Sequence, residues 1–349
     1  SDGNSSDSCL MTSLIFYATF KMNMPKDSLN FLERKGLDEE LTILGVRVDI
    51  GKDGAGTAES PSYFRRLGLV NVLNSLGAKV KDKRDIKCAS HDSAEIGDRR
   101  AKYLNDICLA AERTAQKVAE VLKNNSRVIT LGGDHTASLG TIAGAHAVFG
   151  KDLGLIWLDA HSDINTPKTT PTGNIHGQVS AVALGMGHPR LTGIFQKGPK
   201  IKKENILYIG LKDIDQEEVN VLRKKRLACV TSFDVLRRGL VPAEAAISRL
   251  RKKVKNVWVS FDVDVVDQKY LPATLMPNSG GLNKREITAI AKYIGKTCPV
   301  KGIDVVEFAP GKDIRNESGK LVMEIMVNLL GSEYSDYTRY LAKYKMTNV

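Results

Sequence analysis

A single three-layer α/β/α domain built on a central, mostly parallel β-sheet is the fold class this sequence predicts. Three observations point there. Short apolar runs rich in β-branched residues alternate with longer amphipathic stretches, the pattern of strands buried on both faces by helices. No Pro/Ser-rich linker, composition break or internal repeat divides the 349 residues. Apolar residues at 42% and charged residues at 26% suit one globular core and argue against a disordered or fibrous chain.

The elements follow in order. Residues 1–40 read as an N-terminal extension, partly disordered, with 1–8 (SDGNSSDS) disordered. The apolar segment at 9–20 is interrupted by Thr12, Ser13 and Thr19, is too short to cross a bilayer, and has no positive region before it. The domain itself is expected over 41–349. It opens on a strand at 41–50 (LTILGVRVDI), and a helix follows over 103–123. Strands are expected next at 126–133 (SRVITLGG), 153–160 (LGLIWLDA) and 205–212 (NILYIGLK). Amphipathic spacing predicts helices over 217–225 and 243–253, then a strand at 256–264 (NVWVSFDVD), a helix over 284–296 and a last strand at 300–308 (VKGIDVVEF).

Composition removes several function classes. The chain carries 51 Lys+Arg against 40 Asp+Glu, a net charge of +11. The basic residues fall in short runs at 224–226 and 249–255, without a homeodomain, zinc-finger, RNP or heptad pattern. They read as solvated helix faces, so no nucleic-acid partner is expected. Five cysteines without a CxxC pair speak against a disulfide framework or a thiolate zinc site, and for a reducing, cytoplasmic compartment. No membrane partner is expected.

Ligands of open parallel sheets bind beyond the carboxyl ends of the strands, and there the unusual polar residues gather. Gly132-Gly133-Asp134-His135 follows one strand, Asp159-Ala160-His161-Ser162-Asp163 a second and Asp262-Val263-Asp264 a third; Asp213 and Asp215 follow a fourth and Glu307 ends a fifth. In extended chain, residues i, i+2 and i+4 share a side, so Asp159, His161 and Asp163 are expected to converge, as are Asp262 and Asp264. His135 adds an imidazole. Four carboxylates in one pocket repel, and burying them is costly unless cations compensate. This donor set suits hard-to-borderline divalent ions such as Mn²⁺, and six ligands are too many for one catalytic ion. Two ions bridged by an activated water are therefore expected.

Three segments, LGGDHTASLG (131–140), WLDAHSDINTPKTTPTGNIHGQ (157–178) and SFDVDVVDQKYLPAT (260–274), resemble the signature blocks of the ureohydrolases, and of arginases in particular. The similarity runs from about Gly45 to Leu330. It implies an arginase-like fold, L-arginine as the substrate, L-ornithine and urea as the products, and a homotrimer. It assigns one Mn²⁺ to His135, Asp159, Asp163 and Asp262, and the other to Asp159, His161, Asp262 and Asp264. Asn165, Thr172 and Asn174 match positions that contact the substrate carboxylate, and Asp215 and Glu218 those that read the α-amino group. Glu307 matches the carboxylate that orients the guanidinium, with Thr274 beside it. Asp163 is cast as the proton carrier and His176 as the loop histidine that shuttles protons.

Physical chemistry is consistent with those roles. Guanidine carbon is a poor electrophile, so water activated by a metal pair is the expected nucleophile. A carboxylate such as Glu307 matches a planar guanidinium, and an imidazole such as His176 titrates near neutrality. The chain also departs from the family pattern. Val265 and Gln268 stand where Gly and Pro are usual, Leu275-Met276 replaces Gly-Thr, and Ala309 replaces Asn. These changes surround the substrate mouth and motivate a second reading, an arginase-like protein with weak or no arginine hydrolysis and a regulatory or binding role. A third, hydrolysis of another guanidino compound such as agmatine, is disfavoured by the 165–176 loop and Asp215. His91, His146 and His188 read as surface or packing residues, Trp157 and Trp258 as core. Gly132-Gly133 reads as close backbone packing, and Asp53, Glu59, Arg65 and Arg66 as surface charges.

Overall fold

The computed structural model describes residues 35–52 and 56–335, together with 31 and 33. Most of the extension expected over 1–40, and Asp53, lie outside the described residues. Eight strands form one sheet: β1 (Glu40–Val46), β2 (Lys79–Ile86), β3 (Arg127–Gly132), β4 (Leu153–Leu158), β5 (Ile206–Leu211), β6 (Ala228–Thr231), β7 (Asn256–Asp262) and β8 (Val300–Val306). Their order is β2-β1-β3-β8-β7-β4-β5-β6, and every neighbouring pair is parallel.

Among the described residues, the α-helices of seven residues or more are α1 (Ser60–Arg66), α2 (Leu69–Ser75), α3 (Leu104–Lys123), α4 (Ala137–Phe149), α5 (Gln216–Lys225), α6 (Ser232–Arg238), α7 (Val241–Arg251), α8 (Lys284–Thr297) and α9 (Glu317–Leu329). Strand alternation sorts the core into two layers. Ile156 and Leu158 of β4 pack toward α1, α2 and α6 to α9. Leu153, Leu155 and Trp157 of the same strand face the side of α3, α4 and Leu222 of α5. Both faces of the sheet are therefore covered, which is why its strands read as continuous apolar runs.

Local signals place the helices. In α8 the side chain of Asn283 accepts from the amides of Arg285 and Glu286, closing a capping box, and Ile287, Ile290, Ala291 and Ile294 form the buried stripe. α3 and α4 approach closely because α4 carries glycines at the contact. A Cβ on Gly140 would meet the Ala111 carbonyl at 2.5 Å, and one on Gly144 the Ala115 carbonyl at 2.5 Å.

Two strands escaped the apolar-run criterion, and both are sheet edges. β2 (KVKDKRDI) is mostly exposed and charged, a composition that protects an edge from further pairing. β6 is four residues long with two exposed. α4 was hidden for the opposite reason: residues 137–145 are buried all round, so no amphipathic pattern appears. Arg65 is a further correction. Its charge pattern suggests a surface residue, but its side chain is 15% exposed and joins α1 to β2, with Nε 2.8 Å from Asp82 and Nη1 2.5 Å from Asp85. Glu59 and Arg66 are exposed as expected, Glu59 pairing with Arg47.

Candidate metal centre and active site

β3, β8, β7 and β4 are neighbours in the sheet, and the residues just past their carboxyl ends build one cleft. After β3, the chain passes through Gly133, whose amide donates to the Val46 carbonyl and whose carbonyl accepts from the Glu307 amide. A Cβ there would lie 1.8 Å from the Val48 carbonyl oxygen, so only glycine fits. Close packing at Gly132-Gly133 is thus borne out. Asp134, which sequence reasoning left without a role, fastens the loop after β1: its Oδ2 accepts from the Gly51 amide at 2.7 Å and its Oδ1 from the Thr136 amide at 2.8 Å. Burial, then the Glu307 charge, pushes its carboxyl up to about 7. The signal available in the sequence was a charged residue directly after two glycines at a strand end.

The acidic motifs converge by a different route from the one expected. β4 ends at Leu158, so Asp159, His161 and Asp163 are not in extended chain. The His161 amide donates back to Asp159 Oδ1 at 2.6 Å, and Asp163 sits at φ +49°. Asp262 is the last residue of β7, and its side chain accepts from the Asp264 amide at 2.9 Å, opening a tight turn over Val263–Val265. Turns, not strand periodicity, aim these side chains together.

The result is compact. His135 Nδ1 stands 3.3 Å from Asp159 Oδ2, 3.0 Å from Asp163 Oδ2 and 3.1 Å from Asp262 Oδ2. His161 Nδ1 lies 3.4 Å from Asp159 Oδ1 and 3.1 Å from Asp264 Oδ2. One ligand atom each from His135, Asp159 and Asp262 fall within 4.8 Å of one another, and so do atoms of Asp159, His161 and Asp264. Trp157 stacks on the His135 ring at 4.2 Å, fixing its plane from the core. Trp258 is also core, its indole N–H donating to Asp304.

Burial, followed by Asp159, raises the Asp163 carboxyl, and burial with Asp264 and Asp159 raises Asp262 well above the ordinary range. Burial pulls the His135 imidazole down, but Asp159, Asp163 and Asp262 outweigh it and leave it well above its usual value. His161 is raised likewise: Asp159 and Asp264 overcome the effect of burial. Asp159 Oδ2 is buried with no hydrogen-bond donor. An anionic pocket with an orphaned carboxylate oxygen, facing imidazole nitrogens at about 3 Å, fits divalent cations.

Beside the cluster, His176 Nδ1 lies 3.3 Å from Glu307 Oε1, which also accepts from the His135 amide at 2.9 Å. Burial alone would raise Glu307, but His176, Lys52 and that amide bring its carboxyl down to about 2. His176 is correspondingly raised by Glu307, against the effect of burial.

Asn165, Thr172 and Glu218 line the cleft with His161, Asp163 and His176. Asn165 Nδ2 donates to Asp215 Oδ2 at 2.8 Å, and the Asn165 oxygen is unpartnered. Glu218 is tied on both oxygens, to Ser162 Oγ at 2.7 Å and to the Asp215 amide at 3.0 Å, in the capping box that starts α5. Asn174 is buried at 8% exposure with its side-chain oxygen unpaired. Thr274 is fully buried with its hydroxyl oxygen unpartnered, and it pairs through its backbone with Phe308, next to Glu307.

The departures from the family pattern sit in the packing around this cleft. Val265 is fully buried, and a Cβ on Gly210, at φ +100°, would lie 2.2 Å from Val265 Cγ2; the bare glycine makes room for the valine. Ala309 is buried and its amide donates to the Ala273 carbonyl. Met276, 44% exposed, forms part of the cleft wall. His91 bonds the Tyr103 hydroxyl, and His188 caps a short helix; both lie outside the cleft lining.

Comparison with known proteins agrees with this geometry. The arginase family model matches residues 39–331. The chain is 34% identical over 295 residues to arginase of Bacillus caldovelox, covering 84% of this chain and 98% of that one. It is 38% identical over 273 residues to human arginase-1, covering 77% and 84%. The crystal structure of the B. caldovelox arginase superposes with a TM-score of 0.81 at 32% identity, covering 87% of this chain and all of that one. With its motifs, its sheet and its cleft in agreement, the chain belongs to the arginase family.

Proposed function

We propose that the protein is a binuclear manganese hydrolase that cleaves the guanidinium group of L-arginine to give L-ornithine and urea. The observation that carries the reading is the cleft floor, where two imidazoles and four buried carboxylates meet within ion-binding distance beside the His176–Glu307 pair. His135, Asp159, Asp163 and Asp262 would hold one ion, and Asp159, His161, Asp262 and Asp264 the other. Bound there, the ions lower the pKa of water and neutralise negative charge that develops in the transition state.

The chain's own residues supply the rest. Glu307 turns from His176 to the substrate, where its two oxygens match two parallel guanidinium N–H groups. Asp163 Oδ2 takes the proton from the attacking water and gives it to the departing amine. His176, 18% exposed, passes protons between cleft and solvent. Asn165, Thr172 and Asn174 meet the substrate carboxylate. Asp215 meets the α-ammonium, and Glu218 adds its charge there while steadying the loop that carries Asp163. Thr274, beside Glu307, steadies it through its backbone pairing with Phe308.

A urea-release assay on Mn²⁺-loaded protein tests the reading, with agmatine as comparison. Urea from L-arginine in clear preference to agmatine is the expected result. Uptake of two equivalents of metal without urea would leave a binding protein on the same scaffold, and preference for agmatine would reassign the substrate. The family resemblance also supports a homotrimer, which a solution mass of three chains would establish. No helix among the described residues is long and apolar enough to cross a membrane. Cys88, Cys108, Cys229 and Cys298 stand free, which supports a reducing, cytoplasmic setting.

A further inference from the structure

Behind His135, on the side away from the cleft, a chain of hydrogen bonds runs into the core. His135 Nε2 lies 2.9 Å from Ser260 Oγ, and Ser260 Oγ lies 3.0 Å from Ser138 Oγ at the start of α4. Ser138 Oγ lies 2.9 Å from Asp304 Oδ2 on β8. The same oxygen of Asp304 receives the Trp258 indole N–H at 2.9 Å and the Thr141 hydroxyl at 2.7 Å. All six residues are fully buried.

Counting protons gives the chain a direction. An indole nitrogen only donates, and a serine hydroxyl has one proton. Asp304 Oδ2, facing three donors, is an acceptor, so Ser138 spends its proton on Asp304 and can only accept from Ser260. Ser260 then spends its proton on Ser138 and can only accept from His135 Nε2. In the neutral imidazole, the form that can hold a cation, the single proton is thereby kept on Nε2, and the lone pair of Nδ1 is left pointing at Asp159, Asp163 and Asp262. Reversed polarity would put the proton on Nδ1, where a cation could not be held.

We infer that Ser138 and Asp304 are positioning residues for the metal centre, acting through Ser260 to fix which nitrogen of His135 carries its proton. The inference rests on the metal-binding reading of the cluster and adds to it two residues that touch neither metal nor substrate. Outer partners of a ligating histidine commonly change metal affinity 10–100-fold.

The test is Mn²⁺ binding to the full chain stripped of metal, followed by the electron paramagnetic resonance signal of free Mn²⁺. Ser138→Ala should weaken binding by about 10-fold or more, and Ser260→Ala similarly. The double variant should be no weaker than the worse single one, because both break one chain. Thr141→Val removes another donor to Asp304 but leaves the path to His135 whole, so its affinity should stay within about twofold of the parent. Urea release by Ser138→Ala should return with excess Mn²⁺. Ser138→Cys, a poorer hydrogen-bonding group in the same space, should show the same weakening and serves if Ser138→Ala does not fold. Parental affinity in the Ser138 variants overturns the inference, as does equal weakening by Thr141→Val. A parent protein that takes up no Mn²⁺ overturns the metal reading itself, and this inference with it.

Discussion

Asp163 and Glu307 both adopt positive φ, +49° and +62°, a conformation that costs non-glycine residues on the order of 1–3 kcal/mol and persists where the surroundings over-determine it. At each position the backbone is turned so that a carboxylate enters the cleft. The residue types of the site were legible in the sequence, as Asp-x-His-x-Asp and Asp-x-Asp motifs at strand ends. Their route to convergence was not, because periodicity describes a strand and these side chains are aimed by turns that begin where the strands stop. Asp159 is central to both three-residue groups. Asp159→Ala should therefore leave at most one ion per chain by elemental analysis, and unchanged metal content would show the ligand assignment to be wrong. His176 belongs to neither group. For His176→Ala the expected result is a fall in kcat of roughly 10²-fold with metal content preserved; loss of metal in parallel would make it a structural residue instead.

At the scale of elements, the central strands could be read directly because burial on both faces makes them uniformly apolar, as in the LGLIWL of β4. Edge strands lack that pressure, and β2 kept its place through pairing with β1 and through Arg65. Burial alone would raise the Asp82 carboxyl, but the Arg65 guanidinium beside it holds it below the ordinary carboxylate value. A depressed carboxylate contributes stability that is present above its unfolded pKa and is lost as the pH falls through the folded one. Arg65→Leu, which keeps the packing stem, should thus lower stability by about 1–2 kcal/mol at pH 7, a few degrees in Tm for a domain of this size. The difference should narrow between pH 7 and a pH below the ordinary aspartate value, as Asp82 takes up its proton. An equal gap in Tm at both pH values would assign the effect to packing rather than charge.

Across the whole molecule, the net charge of +11 conceals an inversion, a basic exterior around an acidic cleft. The acids sit on turns after β3, β7 and β4, and Glu307 follows β8, so the four central strands meet in charge at one end of the sheet. Burial and the neighbouring carboxylates drive Asp163 and Asp262 upward at that end. Cations bound there would join three of these strand ends and favour the native state alone, since the unfolded chain does not preserve the site. Linkage then gives a stabilisation of about 2.7 kcal/mol per site at free metal one hundred times the dissociation constant, several degrees in Tm. Differential scanning calorimetry should show Tm rising with Mn²⁺ and falling back with a chelator, and Asp159→Ala should largely lose the response. A parent Tm indifferent to Mn²⁺ would mean that the acidic end of the sheet is satisfied by protons rather than by metal.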